Sequence, residues 1–223
     1  MKPIGKNFQQ FWAQETSLTV LLVVLAAHIF IIIPLGQKTV FGQVIFLFFY
    51  ISLLVAGMFL LLKNPRLKRI TLILLILLAA GIVLRSAGFA VADNLTTAFY
   101  CILLSWVVLL RTFGEGPVTV HRIFGAIVVY LLISFIFALL YHSIFLLKGE
   151  IAFKGLSSAD RKEFMYFSLV TLTTVGYGDI SPALPFSRSL ANLEALIGQL
   201  YPAILIARLV SMEFESSRTK KEK

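Results

Sequence analysis

Hydrophobic residues occur along the chain in six long runs, separated by short polar or basic connections. A helix needs roughly 20 apolar residues to cross the hydrocarbon core of a bilayer, and most of the runs approach or exceed that length. A transmembrane barrel would show alternation over about ten residues at a time, and an open sheet would leave edge groups unsatisfied in lipid. The pattern therefore predicts an all-α membrane protein with six transmembrane helices. The runs cover residues 18–35, 40–62, 70–89, 95–110, 123–147 and 190–212.

The composition supports a membrane location. Hydrophobic residues make up 59% of the chain and charged residues 14%, whereas soluble domains are typically about half apolar and about a quarter charged. A large soluble domain is therefore excluded. The formal net charge of +9 favours anionic lipid headgroups over nucleic acid as neighbours, because the basic residues flank apolar runs. Since Cys101 is the single cysteine, an intrachain disulfide is excluded.

The distribution of lysine and arginine predicts the orientation of the helices. Alternate connections place thirteen of these residues on one side of the membrane and seven on the other. The more basic side faces the cytoplasm, so both termini are expected there. The compact loops favour a prokaryotic plasma membrane, which would be a bacterial inner membrane. The first run is expected to be retained and not cleaved as a signal peptide.

The first sixteen residues carry an amphipathic pattern. Ile4, Phe8, Phe11 and Trp12 fall on one face of a helix, and the lysines lie elsewhere. This pattern predicts an interfacial helix over residues 1–16 that lies along the membrane surface. The alternative is a frayed terminus in which the aromatic residues share a face by coincidence.

The segment between the fifth and sixth runs is too short and too polar to be another span. Its helical part extends from about Arg161 to Leu172, with Ser158 or Asp160 as the candidate cap. At a rise of 1.5 Å per residue, twelve residues reach roughly 18 Å, which is less than the thickness of the hydrocarbon core. The segment is therefore predicted to enter the membrane and stop partway, as a re-entrant pore helix.

The residues after this short helix could line an ion path. Irregular backbone at membrane depth is tolerated only where protein buries it or water runs beside it. Gly176 and Gly178 permit positive φ, so successive carbonyls can point the same way while Val175 and Tyr177 pack against the short helix. The Thr174 hydroxyl adds one more oxygen. Four copies around an axis could then replace the hydration shell of a K⁺ ion, which predicts a homotetramer.

The run from Thr173 to Asp179 resembles the potassium-channel signature, Thr-Val-Gly-Tyr-Gly-Asp. Residues 123–212 are similar to the outer helix, pore helix, filter and inner helix of that superfamily, and the six-span layout resembles its six-span members of prokaryotic type. The resemblance implies a selectivity filter over Thr174, Val175, Gly176, Tyr177 and Gly178. Potassium would bind to the backbone carbonyls of the first four of these residues and to the Thr174 hydroxyl.

The same resemblance divides the chain into modules. Residues 17–113 would form a four-helix unit like a voltage sensor, residues 120–212 the pore domain, and residues 213–223 a short basic cytoplasmic tail. The fourth run, residues 95–110, contains no charged side chain. Since each charge that crosses the field contributes only about 2.3 kcal/mol per 100 mV, voltage sensing needs several charges. The sequence therefore predicts weak or no voltage dependence.

Further residues are assigned from the resemblance to a supporting role. In the family an aromatic residue of the pore helix hydrogen-bonds the aspartate that follows the filter. Tyr166 and Phe167 lie in that region, Asp179 is the partner, and of the two rings only Tyr166 can donate. The alternative is that both rings pack behind the filter. Some bacterial relatives have a glutamate where this chain has Val170, so filter inactivation that depends on that carboxylate is expected to be absent.

Two positions in the sixth run have alternative roles. Gly198 lies where family members often have a hinge glycine, and it could equally allow close packing of helices. Glu194 is an intramembrane carboxylate, which is by default functional or partnered. It could face a cavity and attract cations, or it could be buried behind the filter and hydrogen-bond Gln199, Tyr201 or a group of the fifth run such as His142. The buried alternative is favoured.

The sequence thus predicts a potassium-selective channel that conducts passively, with K⁺ ions as its only cofactor. Its partners would be three further copies and membrane lipids, with anionic lipids among the candidates, and no nucleic acid. One alternative is a nonselective cation channel, and another is a non-conducting accessory subunit of a channel assembly. An enzyme is disfavoured, because no spacing of histidine, cysteine, serine or carboxylates forms a catalytic set.

Overall fold

The computed structural model describes residues 16–33, 88–113, 119–156, 158 and 160–221. The second run falls outside these ranges, and so do the predicted interfacial helix apart from residue 16 and the third run apart from residues 88 and 89. The described part is mostly helical.

Five α-helices and one short two-stranded ladder make up the described part. The first helix, α1 (Thr16–Ala27), continues as a π-helical turn, His28–Ile32. A 3₁₀ turn, Gly149–Ala152, follows the third helix, α3 (Val120–Lys148). Strands β1 (Phe153–Lys154) and β2 (Ser181–Pro182) pair antiparallel, with Phe153 opposite Pro182. The helices are α1 (Thr16–Ala27), α2 (Ala90–Thr112), α3 (Val120–Lys148), α4 (Arg161–Leu172) and α5 (Pro185–Lys221).

Three of the described helices are long and apolar enough to span a bilayer. They correspond to the fourth, fifth and sixth predicted runs, with spans at Ala90–Leu110, Val120–Ala152 and Pro185–Met212. The first run forms a shorter apolar helix, Leu18–Ile32. The six predicted spans are therefore represented by three long helices and one shorter helix within the described ranges.

Helix α3 lies at the centre of the described part. It packs against α1, α2 and α4. At Gly125, α3 packs closely against both α1 and α2. A Cβ atom at this position would lie 2.6 Å from Thr112 Oγ1 of α2 and 3.1 Å from Leu18 Cδ1 of α1. In the single chain, α2 packs against α3.

The short helix α4 has the predicted bounds, but its cap differs from the prediction. Asp160 occupies the N-cap position, yet its side chain makes no capping hydrogen bond. Ser158 Oγ instead donates to Asp160 Oδ2 at 3.0 Å. The two candidate caps therefore bond to each other, which leaves the first N–H groups of α4 without a side-chain acceptor from either of them.

Helix α5 extends beyond the predicted run at both ends. It begins at Pro185, a residue well suited to the first turn of a helix, and continues without interruption through Gly198 and Pro202 to Lys221. Most of the stretch predicted as a basic tail, residues 213–223, is thus a continuation of α5. The apolar pattern did not predict this extension, because it marks only the residues that would lie in the bilayer, whereas the helix continues through polar residues on both sides of them.

Candidate functional site

The segment from Thr173 to Asp179, here called the signature segment, has an alternating backbone. The φ angles of Thr174, Gly176 and Gly178 are 59°, 58° and 82°. Left-handed torsions at every second residue, with ordinary torsions between them, turn successive carbonyl groups toward the same side. The two glycines were predicted to adopt positive φ. Thr174 was not, and β-branched residues rarely take this conformation, at a cost of about 1–2 kcal/mol.

Hydrogen bonds tie the beginning of the signature segment to the last turns of α4. The backbone N–H groups of Val175 and Gly176 both donate to the Val170 carbonyl, at 3.0 and 3.2 Å. The Thr174 N–H donates to the Thr171 carbonyl at 3.0 Å. These bonds use the orphan carbonyls at the C-terminus of a helix. They stabilise the unusual torsion of Thr174 and set the direction in which the chain leaves α4.

The far end of the signature segment is bonded to the middle of α4. Tyr166 Oη donates to Asp179 Oδ2 at 2.7 Å, so the two predicted partners are in contact. The bond from Tyr166 lowers the pKa of the Asp179 carboxyl and raises the pKa of the Tyr166 phenol to about 12. The two rings assigned to support take different roles. Phe167 is buried and packs edge-on against Tyr141, with ring centroids 4.9 Å apart.

A glycine outside the segment allows its outer end to pack closely. A Cβ atom at Gly155 would lie 1.7 Å from the Asp179 carbonyl oxygen, and the φ of Gly155 is 81°. Gly155 directly follows β1, and the ladder with β2 brings it beside Asp179. The ladder therefore adds a second contact that positions the outer end of the segment. No local pattern in the sequence predicts this contact.

The signature segment is exposed along its whole length in the single chain. The side chains of Val175 and Tyr177 are 52% and 72% exposed, so the predicted packing of both against α4 is wrong for the isolated chain. Most of helix α5 is also exposed, since only 11% of its most apolar stretch is buried within the chain. Its exposed apolar residues include Leu193, Leu196, Leu200, Ile204 and Val210.

Glu194 lies fully buried between α3, α4 and α5. Tyr141 Oη donates to its Oε2 at 2.6 Å, and Ser168 Oγ donates to its Oε1. The favoured buried alternative is therefore what the structure shows, and a group of the fifth run is a partner as expected, although it is Tyr141 and not His142. The true partner on α3 is the residue next to His142, and the second partner comes from α4. Ser168 also contacts Ser134, with the hydroxyls 3.0 Å apart.

Gly198 is the point where α5 meets the end of α4. A Cβ atom there would lie 1.8 Å from the Leu172 carbonyl oxygen. The same carbonyl accepts a hydrogen bond from Tyr130 Oη at 3.0 Å. Gly198 thus has the close-packing role, and a hinge at this position stays a prediction. Tyr201, one turn further on, donates to the Ala126 carbonyl at 2.8 Å and stacks on Tyr130.

The N-terminus of α4 is bonded to α2 through Arg161. Its Nη2 donates to Asp93 Oδ2 at 2.7 Å and to Asn94 Oδ1 at 2.6 Å. The Asn94 amide also contacts α3, at 3.0 Å from His142 Nδ1 and 3.2 Å from Ser143 Oγ. These residues join the beginning of α2, the end of α3 and the beginning of α4.

Sequence reasoning missed the polar residues behind α4. Arg161 was counted only among the loop charges, and Asp93, Asn94, Ser168 and Tyr141 were not singled out. The partners are separated by 26 to 68 residues along the chain, so no local spacing links them. The available signal was polarity at the end of an apolar run, which alone does not identify a partner.

Comparisons with known proteins agree with this geometry. Residues 126–215, which run from within α3 into α5, match the model of a family described as "Ion channel". That match spans 90 of the 223 residues. No solved structure matches the chain.

Curated relatives match over shorter segments. A segment of 57 residues, 26% of this chain and 40% of the relative, is 40% identical to Protein LctB of Geobacillus stearothermophilus. A segment of 47 residues is 45% identical to Two pore potassium channel c of Oryza sativa subsp. japonica, over 21% of this chain and 10% of that protein. The chain thus matches less than half the length of these relatives. The matched family is one of ion channels and not of enzymes, and the match covers the part of the chain that contains α4 and the signature segment.

Proposed function

We propose that the protein is a potassium-selective channel in which four copies of the signature segment surround the ion path. The observation that carries this proposal is the left-handed backbone at Thr174, Gly176 and Gly178, within a segment hydrogen-bonded to a short helix at both ends. Helix α4 acts as the pore helix and residues 174–178 as the selectivity filter. The transported K⁺ ion is the substrate.

The chemistry follows from the direction of the carbonyl groups. A K⁺ ion that leaves water needs several oxygen ligands at once, and one extended segment supplies only a line of them. Four segments around an axis supply rings of carbonyls from Thr174, Val175, Gly176 and Tyr177. The ligands are backbone dipoles without net charge, so the ion is coordinated and still able to move on. Passive conduction therefore needs no covalent step and no organic cofactor.

Two exposed surfaces support a homotetramer. The whole signature segment and most of α5 lack cover in the single chain. Further copies around the axis would cover the inner side of α5 and bring the four segments together. Lipid would cover the remaining apolar surface. Since closed cyclic symmetry is usual for homo-oligomers, a four-fold ring is the assembly that satisfies both surfaces.

The contacts of Asp179 favour a selective channel over a nonselective one. A filter that lacks support can adjust to ions of different size. Here Tyr166 bonds the outer end of the segment from α4, and Gly155 packs closely against the same end. Both contacts restrict the positions of the carbonyls. The name of the rice relative, a potassium channel, points the same way.

Location and gating complete the proposal. The excess of basic residues on one side supports a plasma membrane with both termini in the cytoplasm. The uncharged stretch within α2 supports weak or no voltage dependence. Conductance recorded from reconstituted protein between −100 and +100 mV, on the order of the field that moves gating charges, tests this point. A steep sigmoid curve without any blocker would contradict it.

Ion flux in proteoliposomes tests the proposed function. The purified chain is expected to carry K⁺ but little Na⁺, and Ba²⁺ is expected to block the flux. The Gly176→Ala variant should lose flux or selectivity, because the added Cβ opposes a φ of 58° even though open space surrounds it. Gly149→Ala is the matched control, since Gly149 has a φ of 72°, open surroundings and a position outside the segment.

The outcomes separate the candidate functions. Selective flux that is lost in Gly176→Ala and kept in Gly149→Ala supports the proposal. Equal K⁺ and Na⁺ permeability indicates a nonselective channel. If a correctly assembled protein carries no flux, the accessory-subunit alternative is favoured, and an assembly without four-fold symmetry rejects the filter altogether.

A further inference from the structure

Hydrogen bonds hold helix α4 at three levels. At its C-terminus the Leu172 carbonyl accepts from Tyr130 of α3. In its middle Ser168 contacts Ser134 of α3 and Glu194 of α5. At its N-terminus Arg161 donates to Asp93 and Asn94 of α2. The first two levels lie within residues 120–212, so among these three it is the Arg161 level that joins α4 to a helix outside the pore unit.

The Arg161 contact is buried and ionic. The Nη2–Oδ2 distance to Asp93 is 2.7 Å, and the side chains are 10% and 4% exposed. Arg161 is the first residue of α4, where a positive charge opposes the helix macrodipole. The helix itself therefore gains nothing from this arginine. Asp93, by contrast, lies in the first turn of α2, where a carboxylate is favourable, and it is the group that balances Arg161.

Asn94 makes the contact directional. Its amide oxygen accepts from Arg161, and its amide nitrogen contacts His142 and Ser143 of α3. A planar guanidinium with partners on two adjacent residues holds one orientation better than a single point charge can. The beginning of α2 is thereby connected both to α4 and to the end of α3.

We infer that Asp93 and Asn94, through Arg161, set the position of the filter and so couple helix α2 to ion selectivity. Asp93 and Asn94 are positioning residues, because they act through α4 and touch no ion. The inference rests on the proposed function of residues 174–178. Its physical basis is that α4 is a rigid helix of twelve residues whose C-terminal turns and Tyr166 are bonded to both ends of the signature segment.

The coupling follows from those bonds. A shift of the N-terminus of α4 moves Tyr166, which holds Asp179, and tilts the Val170 carbonyl, which holds the Val175 and Gly176 N–H groups. Ion selectivity depends on the positions of carbonyl ligands, so it should respond to a change at Arg161 that leaves the segment itself untouched. A contact that only stabilised the fold would change melting and not the ratio of permeabilities.

The test measures the ratio of K⁺ to Na⁺ permeability, from reversal potentials of the full-length chain in bilayers. The single variants Asp93→Asn and Arg161→Gln are each expected to lower this ratio by roughly fivefold or more, the lower end of typical couplings between sites. The double variant should be no worse than the more severe single variant, since residues that act as one pair are not additive. Tetramer content and melting temperature are recorded for each variant.

Lys162→Gln is the matched control. It removes the same charge from the next residue of α4, where Lys162 is only loosely paired with Asp160 at 3.9 Å. Its permeability ratio should stay within about twofold of the wild type, which is below the coupling range. An equal change in Lys162→Gln and Arg161→Gln would show a general effect of charge near the pore and overturn the inference.

Other outcomes are equally decisive. A wild-type chain without potassium flux rejects the proposed function itself. A selective wild type, with both single variants assembled and unchanged in permeability ratio, rejects only the coupling. If the single variants fail to assemble, Arg161→Lys keeps the charge but replaces the planar guanidinium, whose Nη2 donates to both Asp93 and Asn94, with a shorter side chain that ends in a point charge. An assembled Arg161→Lys with reduced selectivity then supports the inference, and one with unchanged selectivity overturns it.

Discussion

Helices α3 and α5 both contact the short helix α4 and are both long and apolar, but they differ in how far the rest of the chain buries them. In the most apolar stretch of α3, 61% is buried within the chain, whereas in that of α5 only 11% is buried. Helix α3 contacts α1, α2 and α4, and its polar side chains find partners there. Helix α5 contacts the rest of the chain mainly along the narrow face that carries Ala191, Glu194 and Gly198.

This difference shows which parts of the channel one chain can complete. The side of α4 that faces α3 and Glu194 is fully packed within the single chain, and its hydroxyl, carboxyl and carbonyl groups hydrogen-bond with one another. The side that carries the signature segment is left open, together with most of α5. Because lipid is as apolar as a leucine side chain, burial alone does not decide what covers α5, and in the proposed tetramer close packing with other copies does so. The variants below test the closed face first and the open face afterwards.

The largest expected effect comes from Gly198→Ala on the closed face of α5. The new Cβ, whose position is fixed by the backbone of α5, would lie 1.8 Å from the Leu172 carbonyl oxygen, which is a backbone atom of α4. Overpacking of this kind costs about 3 kcal/mol or more, because neither helix can yield by a side-chain rotation. We expect loss of assembly or a strongly lowered melting temperature in detergent. A variant that melts and conducts like the wild type would show that Gly198 has no close contact with α4.

Glu194→Ala should have the next largest effect. It removes the acceptor of Tyr141 and Ser168 and leaves a small void. The buried Tyr141 hydroxyl then lacks its acceptor, which costs on the order of 1–3 kcal/mol, whereas Ser168 keeps its contact with Ser134. Thermal unfolding of the purified protein measures this loss. Glu150→Ala, which removes an exposed carboxylate, is the control and should leave stability unchanged.

The open face of α5 should respond through assembly and not through the fold of the chain. Leu196 and Leu200 are 53% and 48% exposed in the single chain. Replacing both by serine should weaken the tetramer by on the order of 1 kcal/mol per side chain through lost packing. Helix content is expected to stay the same. Crosslinking or native mass measurement reports the assembly, and Leu147→Ser, at a residue 67% exposed at the end of α3, is the control.

An unchanged tetramer in the double leucine variant would break the comparison between the two helices. It would mean that the exposed face of α5 meets lipid and that the copies contact each other elsewhere. If helix content fell as well, the open face would contribute to folding of the chain itself, contrary to its exposure.

The smallest expected effect on stability comes from Tyr166→Phe. Asp179 is exposed, so the lost hydrogen bond should change selectivity and pH dependence more than melting. The Tyr166 hydroxyl lowers the pKa of Asp179, so the bond is fully present above the ordinary aspartate value of about 3.9 and is lost as the pH falls through the lowered value. Acid inhibition of flux should therefore begin at a higher pH in Tyr166→Phe. Identical acid profiles would exclude this bond as a support of the conducting state.

Parts of this architecture could be predicted because they depend on local pattern. The bounds of α4 follow from a polar start and the change of composition after Leu172. The left-handed torsions of Gly176 and Gly178 follow from the lack of a Cβ atom. The bond between Tyr166 and Asp179 was accessible from a resemblance and from the donor capacity of the phenol. The torsion of Thr174 was not accessible, because its side chain disfavours it and only the bonds to α4 stabilise it.

The sequence by itself predicted the membrane environment and the helical class from hydropathy, and the candidate ion-coordinating segment from the placement of its glycines. Both signals act over a few neighbouring residues. Only the tertiary structure decided that Glu194 pairs with Tyr141 and Ser168, that Gly198 packs on Leu172, and that Arg161 reaches Asp93. These contacts join residues far apart in the chain. Their partners are selected by the angles and heights at which helices meet, which no local pattern encodes.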